Sequence, residues 1–166
     1  MIKKFHQRIL AKCDVGAGIV RSVGRNVFDI EVGDPVLLSF YSCSSCWQCE
    51  NAHPAYCKAF AQENYVGRQQ FVSVHEKDEL LWSSFFGQSS FAQYTIVRRS
   101  SIVKVKELLH YDDELQIFAP LGCGLQTGMG AILNVARAGP DDVVMILGLG
   151  AVGMGALMVC VNFAYL

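Results

Sequence analysis

The sequence predicts a mainly β fold that ends in part of an α/β arrangement. Up to about residue 112 the chain reads as short β-branched and aromatic segments separated by turn residues, with no long run of helical period. Beyond that point a helix-period pattern gives way to an apolar run and a glycine-rich turn, the order in which a nucleotide-binding α/β domain begins. Hydrophobic residues make up 52% of the chain and charged residues 17%, a balance that excludes disorder and favours a tightly packed or partner-covered surface. A chain of 166 residues accommodates one core, or one core and a fragment of another.

The elements follow in order. Gly18-Ile19-Val20-Arg21-Ser22-Val23-Gly24 reads as a strand bounded by glycines. The turn Val32-Gly33-Asp34-Pro35 launches a second strand, Val36 to Tyr41, with Gly and Asp setting the reversal and Pro fixing φ. A cysteine-rich loop comes next. Ser90 to Val97 and Ile102 to Val105 are rich in β-branched and aromatic residues, so the first part reads as a small β-barrel. Asp112-Asp113-Glu114 places acids where a helix start wants them, and Met129, Ile132, Leu133 and Ala136 recur at helical spacing until Gly139-Pro140. Val143 to Leu147 reads as a buried strand, followed by a glycine turn over 148–153 and the start of another helix.

Charge and targeting signals narrow the function classes. Fourteen basic against fifteen acidic residues give a net charge of −1, and no basic block exceeds a pair such as Lys3-Lys4, so a phosphate-tracking nucleic-acid surface is excluded. The N-terminus turns polar at once and offers no secretory apolar stretch, which predicts a cytoplasmic, reducing home. From Val143 to Leu166 the chain carries no charge and is long enough to span a membrane, yet Gly148, Gly150, Gly153 and Gly155 and the strand-like opening argue against an anchor.

Four of the seven cysteines, Cys43, Cys46, Cys49 and Cys57, fall on one loop, whereas Cys13, Cys123 and Cys160 are scattered. Four thiolates spaced in this way surround one tetrahedral zinc and leave no vacancy for water or substrate, the mark of a structural site. Thioredoxin-type redox chemistry uses a single Cys-x-x-Cys opening a helix, which three evenly spaced cysteines and a fourth do not match. A nucleic-acid zinc knuckle enlisting His53 finds only Glu50 and Lys58 charged between Val36 and Gln62. Unligated core cysteines are the ordinary reading of a lone cysteine, not of so regular an array.

Gly16-Ala17-Gly18-Ile19-Val20, Gly33-Asp34-Pro35-Val36, the four-cysteine loop, the segment Phe86 to Ala92, Pro120-Leu121-Gly122-Cys123-Gly124-Leu125-Gln126-Thr127-Gly128 and Gly148-Leu149-Gly150-Ala151-Val152-Gly153 stand in an order that resembles one family. That family is the zinc-containing alcohol dehydrogenases of the medium-chain dehydrogenase/reductase superfamily, with the aryl (benzyl) alcohol type most similar. The resemblance implies an incomplete GroES-like β-barrel catalytic domain over residues 1–122 and the first strand and helices of a Rossmann domain over 123–166. It also implies hydride transfer between a small primary or aryl alcohol and its aldehyde, with NAD or NADP as acceptor and a second, catalytic zinc acting as Lewis acid.

The chain departs from that pattern at its functional positions. Cys123 matches one catalytic-zinc ligand of the family. Asp14 stands where the family has histidine and Val15 where it has glutamate. Carboxylate oxygen is able to ligate zinc, but a solvated turn residue is the simpler reading of Asp14. The family's other cysteine ligand has no counterpart. Gly148, Gly150 and Gly153 fit the dinucleotide fingerprint, and Thr127 and Val152 match positions lining the nicotinamide pocket, while the ribose-binding acid expected about 20 residues further on is missing. His6, His53, His75 and His110 sit in no matching motif and read as surface or loop residues. The expectation is therefore a chain that reads as truncated at both ends, keeps a structural zinc lobe and is weakly active or inactive. The alternative is a non-catalytic zinc-stabilised module that forms a homo-oligomer or pairs with a full-length relative.

Overall fold

Two segments meeting across a glycine turn organise the sheet. Strand β2 (Ala17–Val20) and strand β3 (Pro35–Leu38) are antiparallel, with Ala17 opposite Leu37 and Ile19 opposite Pro35. Gly33 takes φ +98°, a conformation that only glycine adopts without cost, and the Asp34 amide donates to the Glu31 carbonyl at 3.2 Å. The buried Asp34 carboxylate accepts the Glu31 N–H at 2.9 Å and lies 2.9 Å from Lys104 Nζ. This computed structural model describes residues 2–3, 16–73, 80–83, 85–88, 90, 92–111 and 113–164. It divides into two units, Met1–Ala119 and Pro120–Leu166.

In the first unit five strands form one antiparallel sheet in the order β6-β1-β2-β3-β7, adding β1 (Ile2–Lys3), β6 (Tyr94–Thr95) and β7 (Ile102–Lys104). Val20, Ile30, Val36 and Leu38 make its core, with Val23, Val27, Val97 and Ile102 packed around them. Helix α2 (Glu114–Ile117) lies against β2 and β3 and buries Leu115. Strands β4 (Arg68–Val72) and β5 (Leu80–Ser83) pair only with each other among the described residues. Among the described residues the sheet is open rather than a closed barrel. Of the strand expected over residues 90–97, Tyr94–Thr95 pairs with β1, and residues 92–93 and 96–97 lie in no ladder among the described residues.

The second unit is a helix pair. Helix α3 (Gly124–Gly130) runs into a π-helical turn, Ala131–Ala136, that ends at Arg137 with φ 54°, and helix α4 is Ala151–Ala164. The helix expected between Asp112 and Gly139 is instead divided into α2, a 3-10 turn at Ala119–Gly122, α3 and the π-helical turn, and α3 opens on glycines that close packing favours. A Cβ on Gly128 would sit 1.9 Å from the Val152 carbonyl oxygen, and one on Gly155 would sit 2.2 Å from that of Leu125. The strand expected over 143–147 belongs to no ladder among the described residues, and Val143 and Leu147 are 100% and 87% exposed. An apolar β-run needs neighbouring strands to pair its backbone, and this unit supplies none. No helix among the described residues is long and apolar enough to cross a membrane.

Two outcomes follow from this packing. Gly128→Ala should lower the stability of the second unit by about 1–3 kcal/mol, read as an earlier helical melt, because the added methyl meets backbone rather than a movable side chain. The Asp34 carboxyl is held below its usual range, first by the Glu31 N–H and then by Lys104. Its contribution is complete above the unfolded value of about 3.9 and is lost as pH falls through the lower folded value. The stability gap between wild type and Asp34→Asn, measured by urea midpoint, should therefore narrow from pH 6 to pH 3; a constant gap would refute the assignment.

Candidate metal centre

The loop between β3 and β4 brings Cys43, Cys46, Cys49 and Cys57 together. Their sulfur atoms all lie within 4.8 Å of one another, with Cys46 to Cys49 at 3.5 Å and Cys43 to Cys49 at 3.9 Å. A tetrahedron of thiolates about 2.3 Å from a central zinc has edges of about 3.8 Å, so these spacings fit a metal and are roughly twice the length of a disulfide bond. Local chain geometry explains the convergence. Ser44 at φ 57° and Ala52 at φ 62° reverse the chain, and helix α1 (Trp47–Glu50) carries Cys49 one turn past Cys46.

Backbone amides aim at the sulfurs. The Cys43 N–H donates to Cys57 Sγ at 3.4 Å. The Ser45 backbone amide, followed by the Ser45 hydroxyl, draws the Cys43 thiol down to about 6. Amides of Lys58 and Cys49 lower that of Cys46. Burial pushes Cys49 up to about 11, helped by the neighbouring Cys46 sulfur. N–H groups converging on sulfur favour the charged form, the state in which thiols hold a metal.

The remaining candidate residues fall elsewhere. Asp14 and Cys13 lie outside the described residues, as do His6 and His75. His53 and His110 are exposed. Cys123 is half-buried in the second unit at the start of α3, where its carbonyl accepts the Thr127 N–H and hydroxyl, both at 2.8 Å. Gly148 has φ +96°, and a Cβ on Gly148 or Gly150 would meet nothing within 4 Å. A Cβ on Gly153 would lie 1.9 Å from the Gly148 carbonyl oxygen. Turn, open approach and tight packing are the three roles a dinucleotide loop asks of its glycines, so the residues present fit that group. Val152, on the first turn of α4, is exposed. Among the described residues, the four cysteines are the one grouping of three or more side chains able to ligate a metal.

The alcohol dehydrogenase GroES-like domain family matches residues 10–107, more than half of the chain. The chain belongs to that family. A probable alcohol dehydrogenase from a Pseudomonas species is 38% identical over 145 residues, covering 86% of this chain and 45% of the relative. Among solved structures, an alcohol dehydrogenase zinc-binding domain protein from Burkholderia ambifaria superposes with a TM-score of 0.75 at 36% identity, covering 89% of this chain and 40% of that one. Benzyl alcohol dehydrogenase from Acinetobacter calcoaceticus gives 0.72 at 37% identity, covering 89% and 39%. The chain spans less than half the length of the curated relatives it matches.

Sequence reading passed over one residue of this region. Asn64 is buried seven positions beyond Cys57, and its partner is far upstream, so no local pattern marks it. For the cysteines themselves, the metal-free, reduced chain should alkylate fastest at Cys43, with the rate rising through about pH 6, and slowest at Cys49. Peptide mass spectrometry after iodoacetamide treatment at pH 7 checks this, and equal rates at the two positions would contradict the hydrogen-bond pattern.

Proposed function

We propose that this alcohol dehydrogenase-family chain is stabilised by a structural zinc on Cys43, Cys46, Cys49 and Cys57 and that, by itself, it oxidises alcohols weakly or not at all. The observation that carries the reading is the closed group of four sulfurs within 4.8 Å, which leaves no position for water or substrate. Zinc bound there contributes on the order of 10–16 kcal/mol of apparent free energy to ordering the loop. Dependence on reduced thiols favours a cytoplasmic home.

The reaction of the family is hydride transfer from an alcohol to NAD or NADP, and the benzyl alcohol dehydrogenase among its neighbours puts small aryl alcohols first among candidate substrates. A catalytic zinc, when bound, supplies a Lewis acid that favours the alkoxide. Cys123 and Asp14 offer at most two ligands where three are needed, so no step is assigned through that metal. Gly148, Gly150 and Gly153 would cradle the cofactor pyrophosphate, with Thr127 and Val152 beside the nicotinamide by family match. A second reading, a module that pairs with a copy of itself or a full-length relative, is favoured by the exposed apolar run of Val143, Met145, Leu147 and Leu149. Sedimentation of the chain alone and with such a relative separates the two.

Metal analysis of the purified chain should return close to one zinc per molecule, and a folded sample free of zinc would sink the proposal. Cys57→Ser should open residues 41–60 to protease, whereas Cys160→Ser should leave them resistant. With benzyl alcohol and NAD, absorbance at 340 nm should not rise above that of the Cys123→Ala variant; turnover that depends on Cys123 would overturn the claim of weak or absent activity.

A further inference from the structure

Between Cys43 and Val66 only two side chains are buried, Cys57 and Asn64. The first is a thiol of the cluster. The second is an amide with 0% exposure and no charge partner, so its role lies in its hydrogen bonds.

Those bonds close the loop at its base. The Asn64 carbonyl Oδ1 accepts the Tyr41 N–H at 2.8 Å, and its Nδ2 donates to the Tyr41 carbonyl at 2.9 Å and to the Phe60 carbonyl at 2.9 Å. One side chain thus satisfies both backbone groups of Tyr41, as a neighbouring strand would, across 23 residues of sequence. Tyr41 stands two positions before Cys43, and Asn64 seven after Cys57, so the contact ties together the two chains that carry the outer cysteines. The flanking backbone is held in the same manner. Ser101 Oγ donates to the Phe40 carbonyl at 3.1 Å and Ser100 Oγ to that of Ser42 at 3.4 Å. Arg98 lies 4.7 Å from the Tyr41 ring centroid and donates to its hydroxyl at 3.2 Å. The Cys43 N–H then reaches Cys57 Sγ, which joins the outer cysteines directly above the tie.

We propose that Asn64 is a positioning residue for the metal centre: by pairing with the Tyr41 peptide it holds Cys43 beside Cys57, so that four thiols meet the metal already gathered. This rests on the structural-zinc reading. Preorganisation raises affinity by removing ordering cost from the binding step, and groups supporting metal ligands from outside typically account for about 10–100-fold in affinity. The thiol that loses its place when the tie is cut is Cys43, whose own strip of backbone Asn64 secures.

The test uses the full chain, reduced and stripped of metal, titrated with cobalt(II) and then with zinc against a chelator. Wild type should give the charge-transfer and d–d bands of a four-thiolate tetrahedral site. Asn64→Ala should bind zinc about 10–100-fold more weakly. Its cobalt charge-transfer intensity should fall, and alkylation of Cys43 in the zinc-loaded protein should rise above its wild-type rate by a larger factor than that of Cys46 or Cys49. Asn64→Ser introduces no charge and keeps one short hydroxyl that cannot pair with both backbone groups of Tyr41; it should fall between wild type and Asn64→Ala, and it serves as the test if the alanine variant does not fold. A residue that merely stabilises the fold would leave the four-thiolate spectrum intact and the relative alkylation of the four cysteines as in wild type, an outcome that overturns the proposal. Equal affinity in all three proteins overturns it as well. Absence of four-thiolate bands in wild type would instead overturn the zinc reading on which it rests.

Discussion

The loop that carries the four cysteines buries little apolar side chain, its main apolar contacts being those of Phe60 with Phe40 and Tyr65 at its base. A segment this poor in buried apolar area cannot offset the conformational entropy of ordering it. Directional contacts take over: amides pointed at sulfur, two left-handed turns at Ser44 and Ala52, and one buried side-chain amide. These interactions are short-ranged and angle-dependent, so they specify one loop conformation where a small apolar cluster would tolerate several.

The sheet supplies what the loop lacks. Beyond Leu38 strand β3 has left its ladder with β7, yet the chain through Phe40, Tyr41 and Ser42 still needs partners for its backbone. Serines 100 and 101, on the turn that leads into β7, and Asn64, on the returning limb of the loop, provide them. The apolar core of Val20, Val36 and Leu38 therefore reaches toward the cysteines through the hydrogen bonds of Ser100 and Ser101, which precede Ile102, packed on that core, while Asn64 ties the returning limb to the same strip of backbone.

How far the sequence revealed this depends on the range of each interaction. The cysteine cluster was legible because its members sit within one loop and their spacing is itself the signal. The Gly33-Asp34-Pro35 turn was legible for the same reason. The Asn64 pairing was not: an asparagine in a polar stretch is ordinary, and its meaning arises only when Tyr41 arrives from the far side of the loop. Residues 143–147 show the opposite error. Their composition is that of a buried strand, but a strand exists only with its neighbours, and those lie outside the local pattern. Glycines 124 and 128 sit inside α3 despite their low helix propensity, which is offset by close contact with Ala151 and Val152.

The same contrast between local and distant constraint bears on the glycine turn. Gly153 packs on the Gly148 carbonyl, and the adjoining α3–α4 contact is so close that Gly128 and Gly155 admit no methyl. Helix packing alone therefore shapes the turn and the first turn of α4, without a sheet. Shape is not placement, however. In an open α/β domain the preceding strand fixes where such a turn stands against the rest of the cofactor site, and here residues 143–147 belong to no ladder among the described residues. Misplacement of reacting groups by about 1 Å can cost on the order of a hundredfold in rate, so the local shape of this turn does not by itself supply hydride transfer.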